Sequence, residues 1–127
     1  MPRVIIVSNR LSHTARVTEH GVEIVPSSGG LATALAGAHA RAETLWLGWP
    51  GDLTEATAEQ RDDVDRQLRE RRAVAVHLSR EQVARYYDGF SNAVLWPLFH
   101  YALDKVQLDA EADWQVYQEV NARFADA

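Results

Sequence analysis

Apolar positions along this chain follow two rhythms, continuous short runs and helical spacings, and they alternate. Val4 to Val7 is an unbroken apolar, mostly β-branched run, which predicts a strand covered on both faces as in a parallel sheet. It ends in Ser8-Asn9-Arg10, polar residues at the carboxyl end of that strand, where ligands collect in open α/β sheets. Leu11 to Glu19 reads as a polar loop, and His20 to Val25 as a short extra strand with Gly21 marking a turn. Pro26 to Gly30 stops the extended segment. Leu31, Ala34, Leu35 and Ala38 then fall at i, i+3, i+4 and i+7, predicting a helix with one apolar face and Ser27 or Ser28 as its cap. Thr44 to Gly48 is a second strand leading into the turn Trp49-Pro50-Gly51. Thr57 to Arg72 carries Val64 and Leu68 as its large apolar residues, so it predicts an exposed helix, opened by a capping box of Thr57 and Gln60. Ala73 to His77 is a third short strand. A second capping box, Ser79 and Gln82, opens a helix running into Tyr86-Tyr87. The aromatic stretch beyond predicts short helical pieces broken at Gly89 and Pro97. Asp109 caps a last helix, with Trp114, Tyr117, Val120 and Phe124 packing inward.

Strands alternating with helices imply an α/β fold, a parallel sheet with helices on its faces. The chain has 127 residues, about one domain. Three strands are few for a complete doubly wound domain, and the last helix has no clear stop signal, so the pattern predicts a fragment of a larger fold. A net charge of −5 with no long basic run argues against nucleic-acid binding. The absence of cysteine excludes thiol catalysis and thiolate metal sites. No apolar run approaches the roughly 18 residues of a membrane span, and no leader is visible, so cytoplasm is the expected compartment.

Three features carry candidate chemistry. Arg10 at the sheet edge is either a solvated loop arginine or a bidentate phosphate ligand. Gly29-Gly30 precedes a helix whose free amides suit an anion, yet the pair lacks both glycine-rich phosphate-loop patterns, so a plain helix start fits equally well. Tyr86 to Tyr101, YYDGFSNAVLWPLFHY, sets six aromatics among Ser91, Asn92 and His100. Tyr87 and Trp96 are core aromatics by base rate, but aromatic faces with polar groups between them also suit a sugar ring. The five histidines lack metal-ligand spacing, so no metal and no cofactor is read.

VSNR (Val7 to Arg10), SGGLATAL (Ser28 to Leu35), WLGWPG (Trp46 to Gly51), FSNAVLWPLFHY (Phe90 to Tyr101) and the spacing of Trp114, Tyr117, Val120-Asn121 and Phe124-Ala125-Asp126 resemble the trehalose-6-phosphate synthases, retaining glycosyltransferases. The resemblance covers nearly the whole chain; Leu11 to Val25 and Leu53 to Arg72 are its weak parts. It implies a GT-B enzyme with two Rossmann-like halves. Residues 1–127 would be the N-terminal part of the acceptor-side half, a partial Rossmann-like parallel sheet with flanking helices, with the C-terminal nucleotide-binding domain absent. It further implies transfer of glucose from UDP-glucose to glucose 6-phosphate without a metal. Arg10 would hold the acceptor phosphate, Tyr87 and Trp96 would line the acceptor-sugar pocket, and Gly29 and Gly30 would meet the donor diphosphate. An isolated piece of this kind is expected to be inactive and, with an open sheet edge, to form a homo-oligomer. The alternative is a regulatory or assembly module of the same fold that binds sugar phosphate.

Overall fold

The computed structural model describes residues 4–41 and 43–127. The chain forms two compact units that divide between His77 and Leu78. The first contains β1 (Val4–Arg10), β2 (His13–Thr18), β3 (Gly21–Pro26), α1 (Gly30–Arg41), β4 (Thr44–Trp49), α2 (Ala58–Glu70) and β5 (Ala73–Ala75). β1, β4 and β5 make a parallel sheet in the order β1-β4-β5, with Val4 opposite Thr44 and Trp46 opposite Ala73. The expected α/β architecture, a parallel sheet with flanking helices, is present.

Three local expectations are corrected in this unit. Leu11 to Glu19 is not loop: it contains β2, which pairs antiparallel with β3 in a hairpin whose turn, Glu19-His20, is followed by Gly21 at φ +109°. Its apolar residues, Ala15 and Val17, are too small and sparse to stand out as a strand, so pairing rather than sequence fixes it. β1 is not covered on both faces. Successive side chains of a strand point to opposite sides. Ile6 packs on the core and Ser8 is buried, while Ile5 and Val7 are 59% and 57% exposed. Likewise, of the predicted apolar face of α1, Leu35 reaches the core, whereas Leu31, Ala34 and Ala38 are exposed.

The core of this unit gathers Leu11, Ala15, Trp46, Leu53, Ala56, Val64, Leu68 and Ala73. Val64 and Leu68 of α2 are fully buried, as their isolation on a charged helix requires, and the Thr57/Gln60 capping box is formed. Two polar anchors hold the strands. Trp46 Nε1 donates to Ser8 Oγ at 2.8 Å, tying β4 to β1. His39 of α1 places Nδ1 2.5 Å from Thr44 Oγ1 and Nε2 2.9 Å from the Arg71 carbonyl. A carbonyl only accepts, so Nε2 carries a hydrogen. Gly48 has a steric reason: a Cβ there would lie 2.8 Å from the Ser8 carbonyl oxygen and 3.0 Å from the Leu11 nitrogen.

The second unit contains α3 (Arg80–Val83), a π-helix π1 (Ala84–Leu95), α4 (Trp96–Phe99), a 3₁₀ turn (Leu103–Lys105) and α5 (Glu111–Asp126). The Ser79/Gln82 capping box opens it as expected. The predicted break at Gly89 is absent, because π1 runs straight through it; the glycine is there for packing. A Cβ on Gly89 would sit 2.8 Å from Asp113 Cγ, so α5 lies directly against that turn. Nor does Pro97 interrupt the helix, since it occupies the first turn of α4, where its missing N–H is tolerated. Phe90 meets Trp114 and Tyr117 of α5 at centroid distances of 5.1 and 4.8 Å and Val120 is buried, but the inward spacing of α5 holds only in part: Tyr117 and Phe124 are half-buried and Trp114 keeps one side in solvent. α5 is not capped by Asp109. Its first backbone bond, Trp114 N to the Ala110 carbonyl at 2.8 Å, puts the cap position on Ala110.

Candidate functional site

On the first unit the carboxyl ends of β1 and β4 lie side by side. Arg10 pairs with Trp49 in the strand register, and the Leu11 amide donates to the Trp49 carbonyl at 3.0 Å. The same register puts the exposed Arg10 guanidinium over the Trp49 indole, 5.4 Å from the ring centroid. This cation–π contact orients the guanidinium while its N–H groups stay available. Two buried polar atoms on these strand ends have no hydrogen-bond partner, Asn9 Oδ1 and Trp49 Nε1. An unpaired buried polar group costs about 1–3 kcal/mol, and such groups are kept where a ligand satisfies them. The exposed, oriented Arg10 cation suits an anion. In the sequence Trp49 belongs to a turn and to the WLGWPG segment, with no role of its own. The signal that finds it is register, since it ends the strand beside the one ending in Arg10. Nearby on the hairpin, burial lowers the pKa of His13, with the charges of Arg71 and His39 adding to it.

Gly29 and Gly30 stand at the start of α1. Gly29 has φ +133°, a conformation that favours glycine, and accepts the first bond of the helix from the Thr33 amide at 3.1 Å. The cap position is therefore Gly29, and neither serine occupies it; Ser27 Oγ instead bonds Thr14 Oγ1 at 2.8 Å. A Cβ at either glycine would meet nothing within 4 Å. Both glycines are exposed, so a diphosphate can approach the start of the helix.

On the second unit Tyr87 and Trp96 are both exposed, at 38% and 57%, while Tyr86 is buried. The base-rate reading of these two as core aromatics is not what the fold does with them. His100 stacks on Trp96, centroids 4.0 Å apart and planes 15° apart, and its Nδ1 lies 2.7 Å from the Trp96 carbonyl. Ser91 Oγ donates to the Tyr86 carbonyl at 2.8 Å. The Tyr86 hydroxyl is buried without a partner, and burial pushes its pKa far above the usual phenol value, with Tyr87 adding to it. Of the sequence-predicted residues, Arg10, Gly29 and Gly30 thus lie on the first unit and Tyr87 and Trp96 on the second.

A sequence profile of glycosyltransferase family 20 matches residues 2–127. The chain belongs to glycosyltransferase family 20. Among family 20 relatives, the alpha,alpha-trehalose-phosphate synthase (UDP-forming) of Botryotinia fuckeliana is 43% identical over 124 residues, 97% of this chain and 23% of that protein. The 56 kDa subunit of the corresponding Kluyveromyces lactis enzyme is 43% identical over 126 residues, 97% of this chain and 25% of its own. Among solved structures, the Burkholderia xenovorans synthase in complex with glucose-6-phosphate superposes with a TM-score of 0.65 at 30% identity, over 98% of this chain and 24% of that one. The E. coli protein bound with UDP-2-fluoro glucose gives 0.58 at 32% identity, over 97% and 24%. This family 20 chain therefore spans about a quarter of the length of the relatives it matches. The resemblance read from the VSNR, SGGLATAL, WLGWPG and FSNAVLWPLFHY segments is a true family relationship, and the partial α/β fold superposes on about a quarter of a solved trehalose-phosphate synthase.

Proposed function

We propose that this chain is the N-terminal, acceptor-side part of a synthase that transfers glucose from UDP-glucose to glucose 6-phosphate, releasing trehalose 6-phosphate and UDP with retained configuration. The observation that carries this is the Arg10 guanidinium held over Trp49 at the ligand edge of a parallel sheet. Arg10 binds the acceptor phosphate, Tyr87 and Trp96 give aromatic faces to the acceptor sugar, and the open helix start at Gly29-Gly30 meets the donor diphosphate. Relatives solved with glucose-6-phosphate and with UDP-2-fluoro glucose support both substrates. No residue of this chain is assigned as a nucleophile. The leaving diphosphate takes the proton of the attacking hydroxyl on the same face, and the protein contributes positioning and charge stabilisation. We further propose a cytoplasmic location, where sugar phosphates and nucleotide sugars are made.

The test is a chimera in which this chain replaces the matching quarter of the Burkholderia xenovorans synthase. Arg10→Ala in that chimera raises KM for glucose 6-phosphate about 10- to 100-fold, the loss of a charge-assisted contact, and leaves KM for UDP-glucose unchanged. Equal losses for both substrates defeat the acceptor-phosphate assignment. The 127-residue chain alone forms no trehalose 6-phosphate; detectable product overturns that. Alone, it also associates with further copies of itself through the exposed side of β1.

A further inference from the structure

Tyr87 and Trp96 are nine residues apart, and that number decides which faces they occupy. An α-helix turns about 100° per residue, so nine residues place two side chains on opposite sides. An i→i+5 helix holds about 4.4 residues per turn, so nine residues complete roughly two turns and return to the same side. The chain between them is π1, and both side chains are exposed while Tyr86, one residue away, is buried. Asn92, five residues after Tyr87 and four before Trp96, falls in the same stripe and is exposed.

Resting on the acceptor-site reading, we propose that the π register of π1 creates a single ligand-facing stripe of Tyr87, Asn92 and Trp96, and that Ser91 is the positioning residue that holds it. Three groups fix the register. The Trp96 amide donates to the Ser91 carbonyl, five residues back. The Ser91 hydroxyl donates to the Tyr86 carbonyl, again five residues back, bracing the wide turn from within. Pro97 has no N–H and crowds the carbonyl four residues before it; that carbonyl, of Ala93, accepts instead from the Gln107 amide at 3.2 Å. On the packed side Gly89 lets Asp113 of α5 come against the helix, and Phe90 is clamped by Trp114 and Tyr117. The stripe sets an amide between two rings, so hydroxyls of a sugar lying across it find Asn92 while its C–H faces meet the rings.

Isotope-labelled chain tests this by through-hydrogen-bond NMR couplings and a glucose 6-phosphate titration. The unaltered chain shows a Trp96 N to Ser91 C′ coupling, and shifts at Tyr87, Asn92 and Trp96 on titration. Ser91→Ala loses the coupling and weakens binding about tenfold, with the shifted ring signals of Phe90, Trp114 and Tyr117 retained as proof of fold; Ser91→Thr, which keeps the hydroxyl, restores both. Asn92→Ala keeps the coupling and weakens binding, so the stripe is tested even where Ser91→Ala fails to fold. A coupling from Trp96 N to Asn92 C′ in the unaltered chain overturns the register while leaving the acceptor reading intact. So does Ser91→Ala or Asn92→Ala binding within twofold of the unaltered chain. A correct coupling with no glucose 6-phosphate shifts at the stripe overturns the acceptor reading and the ligand-facing role together.

Discussion

At the scale of single residues, charge and hydrogen bonding decide what is kept. His39 is buried between α1, β4 and the Arg71 carbonyl, with both ring nitrogens engaged. His39→Leu strands that carbonyl, while the Thr44 hydroxyl keeps the His39 backbone carbonyl at 3.3 Å, and is expected to cost about 1–3 kcal/mol in urea unfolding. His13 acts through pH. Its folded pKa lies below the unfolded value of 6.5, so the unfolded chain binds more protons between the two. Its stabilising share is complete above the unfolded value and is lost as pH falls through the folded one. The urea midpoint should therefore drop between about pH 7.5 and about pH 5, with a shallower drop in His13→Gln. Arg10 was readable as a candidate because a strand pattern ran directly into it. Trp49 and Asn9 were not, because their unpaired atoms are a property of how β1 and β4 lie together, which no local pattern encodes.

At the scale of elements, signals confined to one turn of chain were legible and signals spanning elements were not. Both capping boxes form where the T-x-x-Q and S-x-x-Q spacings put them, since a cap needs only residues three apart. Thr57→Ala should cost about 1 kcal/mol in thermal unfolding, and Thr57→Ser close to nothing. β3 was read close to its place, as His20 to Val25, but β2 and π1 take their form from packing and pairing with other elements, and both escaped the sequence. Gly89 shows why: its meaning as a breaker is local, while its actual use is contact with Asp113, 24 positions onward. Gly89→Ala pushes a methyl into that carboxylate and is expected to cost about 1–3 kcal/mol, whereas Gly30→Ala, which meets open space, should leave the melting temperature nearly unchanged.

At the scale of the whole molecule, the alternation of strands and helices was enough to give the parallel α/β fold, because right-sized apolar runs and helical spacings leave few other arrangements. Coverage of the sheet was not readable, since a run such as Val4 to Val7 looks the same whether one face or both are packed. Ile5 and Val7 project from the edge strand, which among the described residues pairs only with β4. Ile5→Glu is expected to lower the apparent mass of the isolated chain in light scattering at high concentration; a chain already monomeric there defeats the self-association proposal. The distribution of indoles has an optical consequence. Trp46 is wholly shielded in the first unit, whereas Trp96 and Trp114 of the second face solvent. Red-edge emission and its collisional quenching by acrylamide therefore report the second unit, and blue-shifted emission the first, so the natural chromophores of one unlabelled sample can follow the two halves melting together or in turn.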